Sequence, residues 1–134
     1  QWYLWTPIRW LHFKEVGKII KENVRTIDVV GRFGGEEFSV ILVNTNVRDC
    51  IPLAKRIVEG INRKTFIFDG IATNLTISAG MSGYPSMSKE SKELIKMADD
   101  AMYQTKKKGG NDVTIFQSWN SFLKIILFEK YENV

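Results

Sequence analysis

The chain has 134 residues, 44% of them hydrophobic and 25% charged. That is one domain at most, with enough apolar material for a real core. The net charge of +4 suits an anionic ligand without demanding one. Cys50 is the only cysteine, so an internal disulfide is excluded, and a reducing setting fits a Cys50 packed as a small hydrophobe. His12 is the only histidine, which argues against a His-rich metal centre or a Ser-His-Asp triad. No run of 18 apolar residues occurs, so no membrane segment is expected. The start, Gln1 to Trp10, lacks the pattern of a signal peptide.

In chain order, Phe13, Val16, Ile20 and Val24 recur at helical spacing between Lys and Glu, predicting an amphipathic helix over 12–24. Trp2, Trp5 and Trp10 do not continue that pattern. Val29-Val30, then Gly34-Gly35, then Val40-Ile41-Leu42-Val43 predict a strand pair over 28–43. Glycines at the turn would permit φ > 0 and let backbone approach a phosphate closely. Val47, Cys50, Ile51, Ala54, Ile57, Val58 and Ile61 mark a second helix, with Pro52 near its first turn. Phe66-Ile67-Phe68, Asp69-Gly70 and Leu75 to Ser78 suggest another strand pair. A third helix over 91–108 carries Leu94, Ile95, Ala98, Ala101 and Met102, and Gly109-Gly110 stops it. Val113 to Phe116 reads as a last short strand. The alternation predicts an α/β fold with a mostly antiparallel sheet covered by helices.

The stretch Arg32-Phe33-Gly34-Gly35-Glu36-Glu37-Phe38 is the most informative. Paired carboxylates beside a Gly-Gly turn could hold Mg²⁺ against a triphosphate, or could be solvated acids on a surface hairpin. With its flanks it closely resembles the signature of the GGDEF family, the diguanylate cyclases. Leu75 to Gly80, and Ala98-Asp99-Asp100-Ala101-Met102-Tyr103 followed by Lys106 and Asn111, resemble two further family motifs in the right order. The resemblance runs from about Phe13 to Phe116. It implies a nucleotide-cyclase, palm-like fold and condensation of two GTP into cyclic di-GMP and pyrophosphate.

The resemblance also implies roles. Glu36 would be metal ligand and catalytic carboxylate, with Glu37 assisting at the metal, Mg²⁺ or Mn²⁺. Gly34 and Gly35 would run beside the substrate, and Lys106 would contact phosphate. Gly110 stands where the family often carries an arginine, which removes a bidentate phosphate contact. Arg25-Thr26-Ile27-Asp28 resembles the family's product-binding motif, with Arg56 as a second arginine. The alternative there is a helix-end Arg and a turn Asp. A homodimer is implied, because each domain presents one GTP to the other; no nucleic-acid polymer is implied. The setting would be the bacterial cytoplasm, alone or within a larger sensor protein.

Two stretches depart from the family. Its first strand, carrying an aspartate metal ligand, has no counterpart, and Gln1 and Trp10 fall where guanine-reading Asn and Asp belong. Residues 1–13 are compatible with a one-nucleotide frame shift, or with a divergent start, within a partial domain over 1–116. The tail 117–134 is apolar and outside the family, and would prefer burial, against this domain or a partner, if it is not an aggregation liability. Turnover is therefore expected to be impaired. The rival readings are a non-catalytic module that binds cyclic di-GMP and an inactive fragment.

Overall fold

The computed structural model describes the backbone of residues 2–116 and 123–131 and the side chains of residues 10–116. Its elements run α1 (Trp2–Asn23), β1 (Val29–Arg32), β2 (Glu37–Leu42), α2 (Ile51–Arg63), β3 (Thr65–Phe68), β4 (Ile71–Ser82), α3 (Ser91–Lys107), β5 (Asp112–Ile115) and β6 (Leu123–Tyr131).

The 3.6-residue pattern at Phe13, Val16 and Ile20 forms α1 as expected, and all three side chains are buried. The helix begins far earlier than the pattern suggested, at Trp2, so the aromatic start is helical rather than a break. In α2, Pro52 lies in the first turn, where its missing N–H is not needed. Val47 and Cys50 precede the helix but are buried with it. Burial pushes the Cys50 thiol up to about 11, with Asp49 adding to the effect, so it behaves as a packed hydrophobe. The β3–β4 turn uses Asp69 and Gly70, both at positive φ (50° and 76°), the primed-turn geometry that matches strand twist. Helix α3 ends where Gly109 and Gly110 turn to positive φ and the Gly110 N–H reaches the Thr105 carbonyl at 2.9 Å.

The sheet runs β1-β2-β6-β4-β3, with β5 also paired to β4. All pairings are antiparallel except β4–β5, which aligns Ser78 with Asp112 and Met81 with Ile115. Phe38, Val40 and Leu42 of β2 and Leu75, Ile77, Ala79 and Met81 of β4 share one buried cluster with the inner faces of α1 and α2. On the other face α3 packs through Ala98, Met102 and Ile95. Gly80 sets that approach: a Cβ there would lie 2.0 Å from the Ala98 carbonyl oxygen and 2.3 Å from the Met102 nitrogen. The buried Thr105 hydroxyl donates to the Ala79 carbonyl at 2.9 Å and is hydrogen-bonded to the Thr114 hydroxyl at 2.7 Å. It ties α3 to β4 and β5.

The apolar tail enters the sheet. Its strand β6 lies between β2 and β4, antiparallel to both, from Leu42↔Leu123 to Glu37↔Phe128 on one side and Ser82↔Lys124 to Leu75↔Tyr131 on the other.

Candidate functional site

The first site is the β1–β2 turn. The strands pair to Arg32↔Phe38, and the Phe33 N–H closes the loop on the Glu37 carbonyl at 2.8 Å. Arg32 holds the loop from the side. Its Nε donates to the Gly34 carbonyl at 3.1 Å and Nη2 to the Gly35 carbonyl at 3.0 Å. The guanidinium lies 4.4 Å from the centre of the Phe13 ring, which stacks on Phe38 at 3.9 Å. One arginine fork on an aromatic platform thus fixes two successive carbonyls.

Neither turn glycine needs positive φ, contrary to the expectation; that conformation belongs to Gly70, Gly109 and Gly110. A Cβ on Gly35 would meet nothing within 4 Å, and one on Gly34 would only touch the Glu37 side chain at 3.5 Å. Either turn position could carry an alanine without a clash.

Strand alternation then sorts the acids. Phe38 faces the core, so Glu37 faces α3. Burial and the negative charge of Asp99 hold the Glu37 carboxyl above its ordinary pKa, with Lys106 pulling it back. Glu37, Asp99 and Lys106 therefore lie within electrostatic reach of one another. Asp99 and Lys106 are seven residues apart on α3, two turns along one face, a spacing that was readable in advance. Glu36 sits in the turn itself, half-buried.

The strand beside Glu37 is β6. The row through Glu37 reads Phe128 on β6 and Ser78 on β4. By alternation, the β6 positions on the α3 face are those of Lys124, Ile126, Phe128 and Lys130, and none is a carboxylate. No group of three or more metal-ligating side chains occurs among the described residues. Two adjacent carboxylates suit a hard cation only when other oxygens, such as phosphates, complete its shell.

The second site is at the base of the same hairpin. Asp28 accepts from the Arg25 backbone N–H at 2.7 Å, Arg25 Nε at 3.1 Å, Arg25 Nη2 at 2.8 Å and the Val43 N–H at 3.0 Å. Arg25 Nη2 also donates to the Val43 carbonyl and to Thr45 Oγ1. Burial opposes ionisation of Asp28, but these hydrogen bonds outweigh it and its pKa lies below the ordinary value. Beside this clasp is a groove of about 550 Å³ lined by Lys21, Val24, Arg25, Thr26, Asp28, Val29 and Val30. Arg56 does not line this groove; its Nε donates to Asn23 Oδ1 at 2.9 Å and Nη2 to the Asn23 carbonyl at 3.1 Å, at the C-terminus of α1. Lys21, which no sequence motif singles out, lines the groove one helical turn before Arg25.

Comparison with known proteins identifies the family and the fold. The family model described as "Diguanylate cyclase, GGDEF domain" matches residues 11–112. "Diguanylate cyclase A" of Treponema denticola is 40% identical over 102 residues, 76% of this chain and 28% of that protein. "Response regulator PleD" of Caulobacter vibrioides is 36% identical over 102 residues, 75% of this chain and 22% of that protein. This chain thus spans about a quarter of such relatives. Among solved structures, an EAL/GGDEF domain protein from M. capsulatus superposes with a TM-score of 0.69 at 25% identity, covering 79% of this chain and 68% of the other. The active GGEEF domain of a diguanylate cyclase from Vibrio cholerae gives 0.64 at 22% identity, covering 80% and 67%, and supports the fold alone. Strand β6 lies beyond the residues matched by the family model.

Proposed function

Since the chain belongs to the GGDEF family of diguanylate cyclase domains, we propose that it binds GTP at the signature turn and cyclic di-GMP at the Arg25–Asp28 groove, with turnover impaired. In the full reaction each ribose 3′-oxygen bonds to the partner's α-phosphorus while the bond to pyrophosphate breaks. That needs two domains face to face, hence a homodimer. Mg²⁺ or Mn²⁺, when bound, neutralises the charge that builds on the phosphate.

In this chain Glu36 and Glu37 would hold that ion together with the nucleotide's own phosphates. A cation there would relieve the crowding of Glu37 by Asp99, and Lys106 would meet the phosphates. Gly34 and Gly35 leave the space for them, while Arg32 keeps their carbonyls turned away. The observation that carries impairment is the central strand: β6 supplies Phe128 at the row of Glu37 and no carboxylate on that face. We place the family domain at residues 1–116, its sheet completed by strand β6 of the 117–134 tail, in the bacterial cytoplasm, alone or as part of a larger sensor. No helix among the described residues is long and apolar enough to cross a membrane.

The groove favours the second reading, a non-catalytic module that holds cyclic di-GMP. One experiment separates them: the chain is incubated with GTP and Mg²⁺ or Mn²⁺, and nucleotides are resolved by chromatography while binding is followed by calorimetry. GTP and cyclic di-GMP binding with little new cyclic di-GMP or pyrophosphate is expected. Sustained turnover overturns impairment, and failure to bind GTP overturns the turn site.

A further inference from the structure

Strand β6 is wedged between two strands that come much earlier in the chain. Leu123–Phe128 pairs with β2 and Lys124–Tyr131 with β4, antiparallel on both sides. Taking β6 out would leave two facing strand edges about 10 Å apart, twice the spacing of neighbouring strands, each with open backbone N–H and C=O groups. Those edges have supports of their own. On one side Phe38 of β2 stacks on Phe13 of α1 at 3.9 Å. On the other, Leu75 and Ile77 of β4 share the buried cluster with Ile57 and Ile61 of α2. The two helices are tied together by Arg56 on Asn23 and by the Lys64 ammonium on Glu15 at 3.0 Å. One helical layer thus carries both halves of the sheet, and the slot for β6 is defined by residues other than β6. Cys50 is the only cysteine, so no disulfide fixes β6 in its own slot. Residues 116–122 connect β5 to β6. That connection crosses the end of β4, because β5 and β6 pair with opposite edges of that strand.

We propose that the slot between β2 and β4 accepts β6 from a second copy of this chain, so that two copies form a strand-exchanged dimer. The occupant is a second copy because its β6 is assured both registers at once. These run from Leu42↔Leu123 to Glu37↔Phe128 on one side and from Ser82↔Lys124 to Leu75↔Tyr131 on the other. Exchange reproduces all of these pairings, so the two states differ at the connection and in the entropy of association. A short connection gives β6 an effective concentration on the order of millimolar for its own slot. The closed chain therefore dominates in dilute solution, and the dimer forms where chains refold at comparable concentration. Opening a folded chain breaks the pairings on both sides of β6, so the dimer persists on dilution. Each signature turn then lies beside the strand of the partner. This association does not depend on nucleotide binding, and it differs from face-to-face pairing of two signature turns, in which each β6 keeps its own slot.

The test uses the whole 134-residue chain and the register pair Ser39↔Ile126, whose opposed positions suit a disulfide. One copy carries Ser39→Cys and the other Ile126→Cys. Both are unfolded in urea with reductant, mixed, refolded together at about 1 mM, the scale of that effective concentration, and oxidised. Light scattering gives the mass, and peptide mapping identifies the bonds. The expected result is a dimer in which 39–126 bonds join two chains in preference to 39–39 and 126–126 bonds. Copies refolded separately in dilute solution and then mixed should stay monomeric and give no such preference. A third chain carrying both substitutions, refolded in dilute solution, should close the 39–126 bond within itself. If it closes and the mixed refolding yields only monomer, exchange is overturned. A dimer without the 39–126 preference also overturns it, in favour of face-to-face pairing. If the doubly substituted chain does not close, the register of β6 falls and the proposal falls with it.

Discussion

Gly80→Ala tests whether the approach of α3 to the sheet depends on a missing side chain. A methyl carbon at Gly80 would lie 2.0 Å from the Ala98 carbonyl oxygen and 2.7 Å from Met102 Cβ. Both obstacles belong to the helix body, so no rotamer change relieves them. Reaching an ordinary contact of 3.4 Å requires α3 to retreat by about 1.4 Å. The retreat loosens the packing of Ala98, Ala101 and Met102, which are 0–5% exposed, and strains the Thr105 bond to the Ala79 carbonyl. Overpacking of a dense core costs about 1–3 kcal/mol, and a backbone obstacle puts this case near about 3. For a domain of this size that lowers the melting temperature by roughly 10 °C. Urea unfolding followed by far-ultraviolet circular dichroism should show a lower midpoint with an unchanged slope. A variant within about 0.5 kcal/mol of the parent would refute the close-approach argument. Because α3 carries Lys106, GTP affinity should fall with stability.

Gly35→Ala is the converse case: its Cβ meets nothing, so stability should hold within about 0.5 kcal/mol while GTP affinity falls; unchanged affinity would mean the space above the turn is idle. Arg32→Ala should speed amide exchange across residues 33–36 and leave β4 unaffected, since only the turn carbonyls lose their donors; equal exchange in both proteins would dismiss the clamp. Asp28 has a folded pKa below its ordinary 3.8, so in acid the unfolded chain binds more protons. The stability it contributes is complete above that value and is lost as the pH falls below it. Asp28→Asn should flatten that acid limb in urea titrations at successive pH values, and an unchanged limb would place the acid sensitivity elsewhere.

Local chemistry was legible in the sequence and non-local pairing was not. Phe13, Val16 and Ile20 gave the period of α1, and Asp69-Gly70 gave a primed turn, because both signals lie within a few residues. The start of α1 was missed because Trp2, Trp5 and Trp10 break the polar alternation without breaking the helix. The Gly-Gly pair signals the turn, but not through positive φ: neither Gly34 nor Gly35 adopts it, and a Cβ would clash at neither. Arg25 and Asp28 stand out together by their spacing, but that they close on each other and on Val43 depends on where β2 ends. Arg56 answers to Asn23, 33 residues away, a contact that no helical periodicity announces.

The tail shows the same limit and also why its register is specified. On β6 the middle positions are apolar on both faces, so the binary pattern alone constrains the pairing weakly. Its charged residues decide. In the observed register the core-face positions are those of Leu123, Ile125, Leu127, Glu129 and Tyr131, with Glu129 opposite Ile77. A slip of one residue would exchange the faces and carry the positions of Lys124 and Lys130 to the core side. One charge near the end of the strand is less costly there than two. The slip would also move Glu129 to the face of Glu37, supplying the central strand with a carboxylate. The register with fewer charges against the core is therefore the one that leaves Glu37 beside Phe128.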